Sequence, residues 1–498
     1  MLQTTIEQKK IIHTDLLPGE TLKIMAFAGT GKTTTLVEYT KKRPDMRFLY
    51  IAFNKSVQLE AAQKFPGNVT TRTTHALAFR AKGFKYKDRL VKGFRANQVM
   101  AALKLEKYED ARFTMDTLTN YLASADPKVS HHHIPVAARG FYQTNKTVLP
   151  PLVDHANALG RLMCDGTNQA IGMLHDGYLK LYQLSAPILP YDCILLDEAQ
   201  DINPVTAAII FAQARNRQTL DKDQDQTRKR ASIILVGDGH QQIYSFRGAR
   251  DTLKTFSAGK THYLTQSFRF DNNVARVANM ILKNFKREPR KIAGTPVPVK
   301  PPWDKGHHTI IARTNATLFD RAVRLYKQYK IAFVGGVESY RLTILKDVYY
   351  LYQQDHSRIK DAYIKGFTSF SELKSYARTV EDFELSSVCK MVEKYTTTIP
   401  SHVDRIMAQA VEGENAILLT TAHKSKGLEW ANVLLTEDFH PLMKEGKIID
   451  PTGVDPDEFN LIYVAMTRAM VNLRFDRESD IPEFIRLCLK REGGPGPG

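Results

Sequence analysis

Residues 26–33 read Ala-Phe-Ala-Gly-Thr-Gly-Lys-Thr, which matches G-x-x-x-x-G-K-[ST] with Ala26 in the first glycine position. No other feature constrains the fold as much. Such a loop works only where a buried strand ends and a helix begins, because the helix N-terminus supplies amide donors and a favourable dipole to a phosphate. The flanks agree. Ile24-Met25 ends an apolar run, and Thr34-Thr35-Leu36-Val37-Glu38 opens a helical one. Gly29 and Gly31 let backbone N–H groups turn inward on phosphate oxygens. Ala28, Gly29, Thr30, Gly31, Lys32, Thr33 and Thr34 are therefore the expected nucleotide cradle. Lys32 is expected to reach the β and γ phosphates, and the Thr33 hydroxyl to ligate Mg2+.

A loop of this kind needs an acidic strand end. Cys193-Ile194-Leu195-Leu196 runs straight into Asp197-Glu198-Ala199-Gln200-Asp201. Asp197 is expected to hold Mg2+ through water, and Glu198 to polarise an attacking water. A third segment, Val236-Gly237-Asp238-Gly239-His240-Gln241, ends another strand in a polar turn and leads into Tyr244, Phe246 and Arg247. A neutral amide at Gln241 can sense a γ-phosphate, and aromatics in the same loop can stack on a base. Two core aromatics beside a surface arginine is the competing reading.

With 498 residues the chain should form three or four units. The fold class expected is α/β: two parallel-sheet domains of the RecA kind, each interrupted by a mostly helical insert. Strands are expected at Phe48–Phe53, Ile194–Leu196 and Ile233–Val236, then at Thr309–Ala312, Ala416–Leu419 and Val433–Leu435. The first domain is placed at 1–80 and 171–258, with its insert at 81–170. The second is placed at 259–345 and 413–490, with a short insert at 346–412. Arg215 to Arg230 reads as a surface loop, and 491–498, rich in glycine and proline, as a disordered tail.

The formal net charge of +17 points to a polyanionic partner, although charge for solubility alone gives the same number. Cys164, Cys193, Cys389 and Cys488 lack metal-site spacing and read as free thiols of a reducing compartment. The run His131-His132-His133, with no acidic or cysteine ligand beside it, reads as a solvated loop. No apolar stretch is long enough to span a bilayer, and Met1 to Lys10 carries no signal-peptide pattern. A soluble intracellular protein with no membrane partner is expected: nuclear in a eukaryote, cytoplasmic or nucleoid in a bacterium or virus. Basic and aromatic residues interleave between Lys82 and Arg95, which suits either a nucleic-acid surface or a solvated charged hairpin or helix.

These motifs, taken together and in order, resemble superfamily 1 helicases of the UvrD type, and within them the helicase region of the F-box DNA helicase family. The resemblance runs from about residue 5 to 475. It is carried by the phosphate loop, Phe53-Asn54-Lys55-Ser56, Thr73-Thr74-His75, His175 to Lys180, Asp197 to Asp201, Gly237 to Ala249, Leu264 to Phe270, His423 to Glu429 and Asn460 to Ala469. It implies that Gln8 reads the adenine edge, Phe268 stacks on adenine, Glu429 touches the ribose, and Arg269 and Arg468 reach the γ-phosphate. Phe53, Asn54, Thr73, His75, Tyr244, Phe246, Arg247 and His423 would line the DNA track. No F-box-like segment precedes residue 5, so ubiquitin-ligase membership is not expected. The second insert is much shorter than in the larger UvrD-type enzymes.

The resemblance implies an ATP- and Mg2+-dependent monomer that moves 3′ to 5′ on single-stranded DNA, opens ss/ds junctions and serves repair or recombination. ATP would bind between two domains, one carrying the phosphate loop and the other the arginines. Arg468 taken alone reads as a surface helix arginine, since Phe459, Ile462 and Tyr463 have the spacing of a packed face. Two other classes of function stay open. One is a remodeller that displaces proteins such as recombinase filaments with little duplex unwinding. The other is a switch-type ATPase that binds protein only.

Overall fold

The computed structural model describes residues 4–144, 146–215, 230–245, 252–296, 302–379, 382–413 and 415–491. The chain divides into two compact units, Met1–Phe27 with Gly31–Leu264, and Ala28–Thr30 with Thr265–Gly498. Most of the proposed surface loop and nearly all of the proposed tail lie outside the described residues.

The first unit is built on strands β1 (Thr21–Ala26), β2 (Phe48–Ile51), β3 (Val69–Arg72), β4 (Cys193–Leu196), β5 (Ser232–Gly237) and β6 (Lys260–Leu264). They form one parallel sheet in the order β3-β2-β4-β5-β1-β6. Strands β2, β4 and β5 are buried along their whole length. Such strands need cover on both faces, which is why they read as unbroken apolar runs. Successive side chains point to opposite faces. Phe48, Tyr50, Cys193, Leu195, Ile234 and Val236 join a core with Leu36 and Tyr39 of the helix after the phosphate loop. Leu49, Ile51, Ile194, Leu196, Ile233 and Leu235 face the other way, into a core shared with Val99, Leu118, Leu159 and Met163 of the first insert. The insert is thus part of the sheet's cover. Strand β6 lies beyond the 258/259 boundary read from sequence, yet it pairs with β1, so the first sheet extends to Leu264.

The second unit carries β7 (Thr309–Ala312), β8 (Ile331–Phe333), β9 (Ile417–Thr421), β10 (Trp430–Leu435) and β11 (Ala469–Phe475), all parallel, in the order β8-β9-β7-β10-β11. The segment between β8 and β9 is helical, at Thr343–Tyr352, Phe370–Thr379, Phe383–Tyr395 and Ile399–Gln409 among others. Leu345, Val348, Leu373, Val388, Val403 and Ile406 from these helices share one core with Ile310, Phe333 and Leu419 of the sheet. The second insert is therefore packed into its domain rather than appended to it.

One half-buried acid ties that insert to the helix that follows β7. Both carboxylate oxygens of Glu384 accept from the Asn315 amide at 3.1 Å, at the start of the helix Asn315–Leu325. Burial pushes the Glu384 carboxyl up to about 7, against the opposing pull of Asn315 and Arg313. A carboxyl raised in the fold prefers its protonated form there. Its contribution to stability is full below the ordinary value of 4.5 and is lost as pH rises through about 7. Glu384→Gln keeps the shape without the titration. The melting temperature of the variant should gain on the parent between pH 5 and pH 8, and a gap that stays constant across that range would refute the assignment.

Candidate nucleotide site and nucleic-acid surface

Strand β1 delivers the phosphate loop, and its turns demand glycine. Gly29 and Gly31 have φ of +72° and +76°, a region that L side chains adopt only with strain. The helix Lys32–Lys41 follows with Gly31 as its N-cap, and no side chain caps its first turn. Its positive end thus faces the loop. The Lys32 ammonium lies 2.9 Å from Oε1 of Glu198. Burial alone would lower the lysine's pKa, but the charges of Glu198, Asp197 and Asp238 outweigh it and hold it above the ordinary value. Lys32 is fixed as a cation.

At the end of β4, Asp197 is buried and both of its oxygens are held. The Tyr50 hydroxyl donates to Oδ2 at 2.5 Å, and the Glu198 amide donates to Oδ1 at 2.9 Å. Burial, then the adjacent Glu198 charge, raises the Asp197 pKa. A buried carboxylate beside a half-buried one suits a divalent cation, which relieves both desolvation and repulsion. Their oxygens are hard donors, the type Mg2+ takes. Glu198 itself sits at φ +50°, ψ +44°, a left-handed conformation that costs a non-glycine residue on the order of 1 kcal/mol or more.

From Glu198 a chain of polar contacts runs across the sheet edge. Gln200 Nε2 donates to Glu198 Oε2 at 2.5 Å and to Asp201 Oδ2 at 3.2 Å. Gln200 Oε1 accepts from the Asp238 amide at 3.2 Å. Gln241 Nε2 then donates to Asp238 Oδ2 at 2.8 Å. Lys32, Glu198, Gln200, Asp238 and Gln241 form one linked set. Sequence reading had assigned roles only to Lys32, Glu198 and Gln241. Tyr50, Gln200 and Asp238 were missed. Gln200 and Asp238 stood inside quoted motifs, and Tyr50 read simply as a strand residue.

Other predicted residues fall as follows. Gln8 is 4% exposed; its Oε1 accepts from Thr5 N in a capping box, and its Nε2 donates to Thr35 Oγ1 at 3.2 Å. Thr35 in turn donates to the Gly31 carbonyl, so Gln8 is tied to the phosphate loop. Phe53 and Tyr244 stack, with ring centroids 5.8 Å apart and planes 15° from parallel. Phe53 is nevertheless 43% exposed. Asn54 and Thr73 cap the helices Lys55–Lys64 and Thr74–Ala78, accepting from Val57 N and Ala76 N. His75 Nε2 lies 3.0 Å from Asp176 Oδ1. Phe246 and Arg247 lie outside the described residues.

In the second unit, Arg269 Nε pairs with Glu429 Oε2 at 2.6 Å, and Phe268 is exposed beside it in sequence. His423 lies on the short helix Ala422–Ser425. Arg468 corrects the surface reading. It is 1% exposed and donates to the Val464 carbonyl, the Leu428 carbonyl and Thr467 Oγ1 at 2.9, 3.2 and 3.1 Å.

The histidine run also departs from expectation. His131–His133 is a 3₁₀ turn, not a solvated loop: His133 is 3% exposed, and Asp126 supplies the acid that the local sequence lacked. The interleaved basic segment folds as turns over 79–89 followed by a two-residue strand, Leu90–Val91. All four cysteines are free. Among the described residues no helix is long and apolar enough to cross a membrane.

A phosphate loop and an acidic strand end on a doubly covered parallel sheet define the P-loop class of nucleotide-site folds. Residues 8–247 match the model of an AAA domain, and residues 342–476 match the UvrD-like helicase C-terminal domain. The chain belongs to the UvrD-like helicases. It is 36% identical to F-box DNA helicase 1 of Gallus gallus, over 94% of this chain and 48% of that protein. It is 32% identical to F-box DNA helicase protein 1 of Schizosaccharomyces pombe, over 94% of this chain and 57% of that protein. A probable DNA helicase II homolog of Mycoplasma pneumoniae matches at 23% identity, over 90% of this chain and 80% of that protein. The chain thus spans about half the length of the two F-box relatives.

The linked set makes a packing prediction. A Cβ on Gly237 would collide with Oε1 of Gln200 and press on Leu253 and the Ala199 amide. Gly237→Ala should cost about 1–3 kcal/mol in chemical denaturation, the usual range for overpacking. Adding Gln200→Ala should return part of that loss, giving a non-additive double-mutant cycle. Strict additivity would show that the amide does not fill that space.

Proposed function

We propose that this chain is an ATP-dependent DNA translocase and helicase that moves 3′ to 5′ along single-stranded DNA and opens ss/ds junctions in repair or recombination. The observation that carries the reading lies in the first unit. The polar chain from Lys32 ends at Gln241, three residues before Tyr244, whose ring stacks on Phe53. A group that senses phosphate is thereby joined, through a few bonds of backbone, to an exposed aromatic pair suited to a base.

The chain's own residues then act in turn. Lys32 is paired with Glu198. A γ-phosphate competes for Lys32, which leaves Glu198 to orient and polarise a water. Gln200 registers the change in Glu198 and passes it to Asp238, and Gln241 follows. Thr33 and Asp197 would hold Mg2+, which supplies charge neutralisation on the phosphate oxygens. Arg269 and Arg468 are assigned to γ-phosphate charge by the motifs that carry them. One ATP exceeds the average cost of a base-pair step, about 1.4 kcal/mol, so single-base stepping with strand separation is feasible.

A second reading is favoured by one feature. The second insert's helices are spent on covering their own sheet. An ATPase that clears proteins such as recombinase filaments, with little duplex unwinding, fits such an insert.

Lys32→Ala should abolish hydrolysis stimulated by single-stranded DNA. Gln241→Ala should keep nucleotide binding but lose most of the stimulation. Arg269→Ala or Arg468→Ala should lower turnover by as much as about 10³–10⁵. Unwinding of 3′-tailed but not 5′-tailed duplexes supports the polarity. Clearing of filaments while both tailed duplexes persist selects the second reading. ATPase activity indifferent to DNA refutes both.

A further inference from the structure

The first insert holds a cluster that takes no part in the nucleotide site. Among the described residues, Asp126, His132 and His133 bring three ligand atoms within 4.8 Å of one another. Nε2 of His132 and Nε2 of His133 both meet the same oxygen, Oδ2 of Asp126, at 2.8 and 3.0 Å. The two imidazole rings lie 4.1 Å apart, centroid to centroid.

Their orientation is set from behind. The Ser130 hydroxyl lies 2.8 Å from Nδ1 of His132 and 3.1 Å from Nδ1 of His133. Ser130 N–H also donates to Nδ1 of His133 at 3.0 Å, so Nε2 carries the proton it shares with Asp126; ligation through Nε2 would move that proton to Nδ1, where the Ser130 carbonyl at 3.3 Å can accept it, as the second ring nitrogen of a histidine ligand requires. A fourth oxygen, Ser124 Oγ, lies 3.1 Å from His133 Nε2. The Asp126 turn is itself anchored. The buried Lys180 ammonium donates to the Ser124 and Asp126 carbonyls at 2.9 and 2.5 Å. Asp126 is half-buried, His133 is enclosed, and the His132 side chain is 66% exposed, which leaves a path for an ion to enter.

We propose that Asp126, His132 and His133 form a binding site for a divalent transition-metal ion of the zinc class, with Ser124 Oγ or water completing a tetrahedron. Two imidazoles and a carboxylate suit Zn2+, Co2+ or Ni2+ rather than Mg2+ or Ca2+. Ligands at about 2.0–2.1 Å from a tetrahedral zinc lie roughly 3.3 Å from one another. The two observed contacts need to open by only a few tenths of an ångström as the ion replaces the shared protons. The site would clip the turn at residues 124–126 to the turn at 131–133. Through Lys180 this fixes both to the helix His175–Leu184, whose Asp176 holds His75.

The test is titration of the metal-free full chain with Co2+, read by the visible d–d band of tetrahedral cobalt and reversed by Zn2+. One equivalent per chain is expected, together with a rise in melting temperature on zinc addition. His132→Gln, which changes an exposed side chain, should abolish the band, as should Asp126→Asn. His131→Gln, one residue outside the cluster, should leave it intact. A spectrum that remains that of aqueous cobalt overturns the proposal. So does a band that survives both His132→Gln and Asp126→Asn, or one that His131→Gln removes.

Discussion

The Lys32–Glu198 ion pair is the interaction on which the rest of the site depends. An ammonium buried beside a phosphate loop must be neutralised, and removing only one partner of a buried pair leaves an uncompensated charge. Glu198 provides that neutrality from the end of β4, across β5 from the strand that carries the loop. Glu198 also adopts a left-handed backbone, a conformation that costs energy and is held by its surroundings. Gln200 and the Asp197 carboxylate grip Glu198 on either side. The left-handed backbone, the ion pair and the glutamine contact all meet at Glu198.

That meeting point needs strands that do not shift, and the sheets explain why they do not. In the first unit the same strands feed two cores, one with the helix after the phosphate loop and one with the first insert. In the second unit the insert helices cover the sheet directly. Close-packed interiors transmit displacement rather than absorb it. The helices of the second insert thus supply part of the core of their own domain.

Much of this is legible in the sequence. The phosphate loop, the acidic strand end and the buried strands follow from local patterns, because a fully buried parallel strand announces itself as an apolar run. What was missed depends on adjacency between distant segments. Tyr50 matters because β2 lies beside β4, in a register that sets Tyr50 opposite Leu195 and within reach of Asp197. Asp238 matters because Gln200 reaches its amide across two strand ends. Asp126 reaches the histidines because a turn folds back on itself, which no spacing rule reads. The edge strands Val69–Arg72 and Lys260–Leu264 are less buried than the central ones, so their weaker apolar signal escaped the pattern.

Arg468 shows why a residue's class cannot be settled by its neighbours in sequence. Helical spacing at Phe459, Ile462 and Tyr463 suggested a packed face with the arginine just outside it. Instead the helix Pro456–Met466 is buried on almost every side, and Thr467 and Arg468, which follow it, are buried too. A guanidinium there has five N–H donors to satisfy. Carbonyls of Val464 and Leu428 and the hydroxyl of Thr467 take three of them without supplying a negative charge. Arg313 is held differently: its fork closes bidentately on Glu458 at 2.7 and 3.1 Å. The Arg468 guanidinium is thus fixed by backbone and hydroxyl acceptors on the turn that ends its own helix and on the segment before β10, contacts that a helical-spacing pattern does not register.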